Sequence, residues 1–374
     1  MYSMNKNLYL LILLFVLSGH CYAQAPAIIW QRTLGTTLSE GPNDIVKTID
    51  GNLMMCGRAA DAVSGNKSVL GTVWFVKMDT AGNVLAQYGF PDIAGMALQI
   101  VRDIKATTDS GVVMIADING GPTSLDYGIM KLDKNGVVQF QKQISGAVDD
   151  VPLYVSQTLD GGFIIAGQSD SYAAYDKTEN SNGGDDCWVV KLDALGNIEW
   201  ENTIGGSASD FGAFAQQFTD STYMIGCTSA SGISGDKIMN SNGGADIWVL
   251  KLDKFGTLVS QYQVGGSATD NTFGFASNAN KDLYVASISQ SGISGDKTEA
   301  GYGGMDYWIL KVDSTGSIDW QNTVGGSSND IVSGIDLDPA GNCFVTGRSS
   351  SNMSGEKSEN CLGSFDYWVV KLDN

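Results

Sequence analysis

The stretch Asp186-Cys187-Trp188-Val189-Val190-Lys191-Leu192-Asp193 decides the reading of this chain, because it returns three times at a spacing of 60 residues. The later copies are Asp246-Ile247-Trp248-Val249-Leu250-Lys251-Leu252-Asp253, Asp306-Tyr307-Trp308-Ile309-Leu310-Lys311-Val312-Asp313 and Asp366-Tyr367-Trp368-Val369-Val370-Lys371-Leu372-Asp373. Two looser copies precede them: residues 72–79 keep Trp74 and Lys77, and residues 126–133 carry Gly128 in place of the tryptophan. Six copies of a unit too small to bury its own apolar face define a repeat architecture.

Working outward from Asp186, residues 188–192 read as a strand and residues 193–197 as a turn, in which Gly196 supplies positive φ and Asp193 caps the backbone. A second strand over 198–204 alternates around Trp200, Gly205-Gly206-Ser207 forms a link, and further strands cover 211–218 and 223–227. Four short strands per unit, rich in Val, Ile, Trp and Tyr and punctuated by glycine, predict an all-β propeller of six four-stranded antiparallel blades. Ile28-Ile29-Trp30-Gln31-Arg32-Thr33-Leu34-Gly35 matches Ile318-Asp319-Trp320-Gln321-Asn322-Thr323-Val324-Gly325, and the sequence ends just after the sixth copy. The N-terminal strand is therefore expected to complete the last blade and close the ring, which ranks above an open solenoid.

Thr323-Val324-Gly325-Gly326-Ser327-Ser328-Asn329-Asp330, followed by Gly341-Asn342-Cys343-Phe344-Val345-Thr346-Gly347-Arg348-Ser349, resembles the bacterial beta-propeller repeat family often called SBBP repeats. The similarity covers all six units and is clearest from Asp150 onward. It implies a propeller fold and an exported bacterial protein; it implies no particular activity.

Composition removes several functions. The 374 residues carry 22 Lys and Arg against 41 Asp and Glu, a net charge of −19 that disfavours nucleic acid and anionic membranes. The single histidine, His20, falls in a segment expected to be removed, which leaves no imidazole for a Ser-His-Asp or Cys-His nucleophile, a His-ligated zinc or a pH switch. Residues 8–17 form an apolar run too short to span a bilayer and small residues follow, so residues 1–23 read as a secretory signal cleaved after Ala23. Lipidation at Cys21 is disfavoured because His20 interrupts the lipobox-like order. The expectation is an exported, monomeric protein of periplasm, cell surface or medium, with one propeller domain over residues 24–374 and no transmembrane segment. Five scattered cysteines remain, of which Cys343 and Cys361 are the pair to test for a bridge.

With the strand after each glycine link taken as innermost, the links and the long loops emerge on one face and tight turns on the other. Three sets of side chains on that face are candidates. Asp176, Asp236 and Asp296 recur in the long loops, whose oxygen-bearing side chains suit either a calcium shell or, preferentially, hydrogen bonds that hold the loop to its neighbour. Glu40, Asp150, Asp210, Asp270 and Asp330 stand at one repeat position, with Gln99 in the second unit. They read either as a carboxylate ring for a cation or, preferentially, as acceptors for the link N–H groups. Tyr172, Tyr175 and Tyr302 are irregular loop aromatics suited to a ligand. The leading function is a non-enzymatic propeller binding a glycan, a cell-envelope component or a protein. The alternatives are a carbohydrate-active enzyme working through carboxylates alone, and a structural envelope component. No cofactor beyond calcium is implied.

Overall fold

The computed structural model describes residues 29–119, 124–218, 222–278, 280, 282–313 and 315–373. Over them the chain is all β, in six sheets of consecutive antiparallel strands. Blades 1 to 5 (residues 41–90, 98–144, 150–204, 210–264 and 270–324) have four strands each; blade 6 (residues 330–372) has three. The third blade is typical, with Asp150–Gln157 innermost, then Phe163–Ser169, Asp186–Leu192 and Ile198–Ile204. The proposed signal segment, residues 1–23, lies outside the described residues.

Local chemistry sets these elements. In the turn after Asp186–Leu192, Gly196 takes φ 81°, while the Asp193 carboxylate accepts the N–H groups of Leu195 and Asn197 at 2.8 Å each. The same turn glycine serves tertiary packing: a Cβ on Gly256 would sit 2.5 Å from the Trp200 ring of the preceding blade. The core lies between blades. Each consecutive pair is cemented by one apolar cluster, such as that joining Ala166, Val189 and Ile204 to Ile225, Trp248 and Leu250. Strands buried on both faces lose the alternation of half-exposed sheets, so Asp186–Leu192 is buried at every position. The recurrent tryptophans are packing residues: Trp188, Trp248 and Trp308 are fully buried, and each indole N–H is taken up by Glu201, Gln261 or Gln321. The recurrent lysine on the same strand pairs with carboxylates, for example Lys191 with Asp160 at 2.9 Å and Glu199 at 2.7 Å.

One expectation needs revision. No bridge joins Cys343 and Cys361: both are free thiols, Cys343 inside the apolar cluster of blades 5 and 6 and Cys361 donating to the Ser349 carbonyl. The fourth strand of blade 6 is not among the described strands. Residues 29–33 carry no strand, and the propeller body begins at Leu34. Its first residues nevertheless make the contact that a blade link makes elsewhere. Gly35 accepts the Asn66 N–H at 3.0 Å, just as Gly205 accepts that of Asp236 at 2.9 Å.

Candidate functional site

The two acidic sets found in the sequence meet at the joints between blades. At the joint of blades 3 and 4, Gly206 donates its N–H to Asp210 Oδ2 at 2.7 Å, and the Ser231 hydroxyl donates to the same oxygen at 2.7 Å. Asp236 accepts the Gly205 N–H at 3.2 Å, and Ser207 N–H reaches Ser234 Oγ at 2.8 Å. The joint recurs with Asp270 and Asp296 on Gly266 and Gly265, with Asp330 on Gly326, and with Asp150 and Asp176 on Gly146 and Ser145. Glu40 instead takes the Thr36 hydroxyl. The aspartates, but not Glu40, are thus directed at link backbone, the reading the sequence favoured for the set. Among the described residues no three acidic or thiol side chains converge to hold a metal ion.

Each joint also holds groups that the sequence reading passed over. Lys237 is 1% exposed, with its ammonium 5.5 Å from the Trp248 ring centroid and bonded to the Ser229 and Ser241 hydroxyls. It lies near two buried carboxylates, Asp210 and Asp246. Burial, reinforced by Asp270, pushes the Asp246 carboxyl up to about 7. Asp186 is likewise raised to about 7, and Asp150 and Asp306 to about 6, burial being the main cause each time. The recurrence of this lysine in the long loop was visible; its burial was not, because nothing local distinguishes it from a solvated loop lysine.

The candidate aromatics part company. The Tyr302 hydroxyl donates to Glu356 of the next blade at 2.9 Å, so it braces the ring. Tyr172 and Tyr175 are exposed, Tyr175 by 84%. Tyr175 stands where the other repeats have Gly65, Gly235, Gly295 and Gly355, all with φ between 54° and 60°, and it adopts φ 56° itself. A bulky residue in the left-handed region carries strain of order 1 kcal/mol or more. Only blade 2, with Ala94, also lacks the glycine.

The innermost strands surround a cavity of about 730 Å³ that all six blades line. Every innermost strand has a bulge at the same place, which re-aims the following side chain. The residues just after the bulge are Asp44, Asp103, Tyr154, Phe214, Gly274 and Gly334, and two positions on they are Val46, Lys105, Ser156, Gln216, Ala276 and Asp336. The joints from blade 2 to blade 6 repeat almost unchanged; the cavity wall does not. The signal was in the sequence, as positions that fail to repeat inside an otherwise regular unit.

No protein-family model matches the chain, and no curated protein matches it. A protein of unknown function from Dyadobacter fermentans DSM 18053 aligns at TM-score 0.50 and 9% identity, over 89% of this chain and 93% of that one. Another of unknown function from Bacteroides caccae gives 0.44 and 11%, over 79% and 85%. The Pan2 WD40 domain of Neurospora crassa gives 0.44 and 11%, over 82% and 75%. At 9% identity the likeness to the Dyadobacter protein is one of fold, and the six sheets make the chain a six-bladed β-propeller. Among the described residues no helix is long and apolar enough to cross a membrane.

Proposed function

We propose that this chain is an exported, non-enzymatic binding propeller of the SBBP type that recognises a cell-envelope glycan through Tyr172 and Tyr175 on the loop-bearing face of blade 3. The observation that carries this reading is Tyr175: an exposed aromatic kept in a strained backbone conformation where the same turn elsewhere uses glycine. Strain held at an exposed aromatic is a mark of function rather than of folding. Paired tyrosines present flat apolar faces with polar tips, which suits a sugar ring. Rigid support comes from the joint beneath, where Asp176 accepts the Ser145 N–H at 3.1 Å.

Tyr175→Gly tests the idea, because it relieves strain while removing the platform. The variant should melt at the same temperature or higher, by up to about 1 kcal/mol of added stability, and should lose retention on purified envelope polysaccharide. Retention equal to the parent chain rules the platform out.

The ring is proposed to close through residues 28–34 as the outer strand of blade 6, supported by the sequence match to residues 318–324 and by the link-like contact of Gly35 with Asn66. Leu310 faces Gln321 in blade 5, so Gln31→Cys and Val370→Cys should form a mapped disulfide under mild oxidation. Failure of this pair to cross-link in the folded protein would leave blade 6 open.

A further inference from the structure

We infer that the central cavity is a second binding site, distinct from the loop face, for a small organic cation with an aromatic or bulky apolar body. Its volume of about 730 Å³ is in the range of small-molecule pockets, roughly 300–1,000 Å³. A row of rings runs through blades 3, 4 and 5 beside it, Tyr154 to Phe214 with centroids 4.9 Å apart and Phe214 to Phe275 at 5.2 Å; Phe214 and Phe275 are buried in the core between blades and back the wall. Phe273 adds a further ring to the lining and is 48% exposed, an unusual state for a phenylalanine on an innermost strand. Beside this row the wall recedes towards blade 6, because Gly274 and Gly334 stand where blades 3 and 4 have Tyr154 and Phe214.

The charges complete the description. Asp44, Asp103 and Asp336 line the cavity with Lys105 and Arg102. Arg102 is committed to Asp117 through a bidentate contact at 2.8 and 2.5 Å, and Lys105 pairs with Asp103 at 2.6 Å. Lys105 also attracts Asp44 at longer range, and the lining as a whole carries three carboxylates against two cations, so the cavity is net negative. The aromatic row already draws an ammonium group: Lys105 Nζ lies 4.8 Å from the centroid of Tyr154. Cations are attracted to ring faces and to carboxylates alike. An anion would meet three carboxylates, and a wholly apolar ligand would bury them without a partner.

Benzyltrimethylammonium is the probe, with benzyl alcohol and benzoate as neutral and anionic controls, titrated calorimetrically into the intact chain at low ionic strength. The cation should bind saturably at one site per chain, with the neutral control at least about tenfold weaker and the anion silent. A Cβ on Gly334 would meet only Thr346 Oγ1 at 3.7 Å, so a side chain can start there in ordinary contact, and Gly334→Leu should occupy cavity space and abolish binding. Asp336→Asn, an exposed change with no packing role, should weaken it about threefold to fivefold. Tyr175→Gly should leave it unchanged, which separates this site from the loop face. Equal binding of either control, undiminished binding in both cavity variants, or no one-to-one binding of the cation up to about 10 mM overturns the inference. Should Gly334→Leu fail to fold, Asp336→Asn and the controls decide alone.

Discussion

Raising the pH from about 5 to about 8 should destabilise this protein, and Asp246→Asn should remove part of that loss. Asp246 is fully buried and its carboxyl is pushed up to about 7, first by burial and then by repulsion from Asp270, with Asp296 adding to it and Lys237 opposing. In the unfolded chain the same group titrates near about 3.9. Between those two values the folded chain holds a proton that the unfolded chain has released, so stability falls as pH rises from about 4 to about 7. At about 1.4 kcal/mol per pKa unit, Asp246 alone represents at most about 4 kcal/mol, and local relaxation reduces the measurable share to roughly half. Asp150, Asp186 and Asp306 act in the same direction. Asparagine preserves the shape and an oxygen for the Asn242 N–H, now 2.6 Å from Asp246, but carries no charge. Urea unfolding at pH about 5, 6.5 and 8 should show the parent chain losing about 1–2 kcal/mol more than Asp246→Asn over the range. Identical pH slopes for the two proteins, or a parent chain that gains stability towards pH 8, refutes the reasoning.

Two further outcomes follow from the joints and turns. Gly256→Ala should cost about 1–3 kcal/mol in thermal or urea unfolding, since φ there is 84° and the new methyl would enter the Trp200 ring. Because Asp210, Asp270 and Asp330 are directed at backbone N–H groups, EDTA and millimolar calcium should leave the melting temperature unchanged. A calcium-dependent rise of several degrees would make the joints metal sites.

The blade architecture was legible because two independent patterns agree: the 60-residue recurrence of the Trp188 strand and the glycine-bearing turn after it. The strand expected over 211–218 is Asp210–Gln217, a one-residue difference at each end. Recurrence also favoured a structural role for Asp210 and Asp236, since a group needed at every joint must appear at every joint. Burial of Lys237 was not legible, because it depends on the loop folding back so that the Trp248 ring and the Ser229 and Ser241 hydroxyls close around the ammonium. The cavity stayed hidden for a related reason. Which of two adjacent residues faces the axis depends on a bulge, and one extra residue in a strand inverts the alternation that would reveal it. Tyr175 was visible as an irregular aromatic, but its strain depended on knowing that the aligned glycines take positive φ.

The joints between blades 3 to 6 use only groups from two adjacent repeats: the link of one and the loop of the next, as with Gly205 and Asp236. A joint of that kind is modular. Duplication or deletion of one whole 60-residue unit leaves every surviving joint with its complete set of partners, so copy number can drift while the bonding scheme stays intact. What resists such drift is the axis, where six unlike residues face one another and a seventh or a missing one would alter the space they enclose.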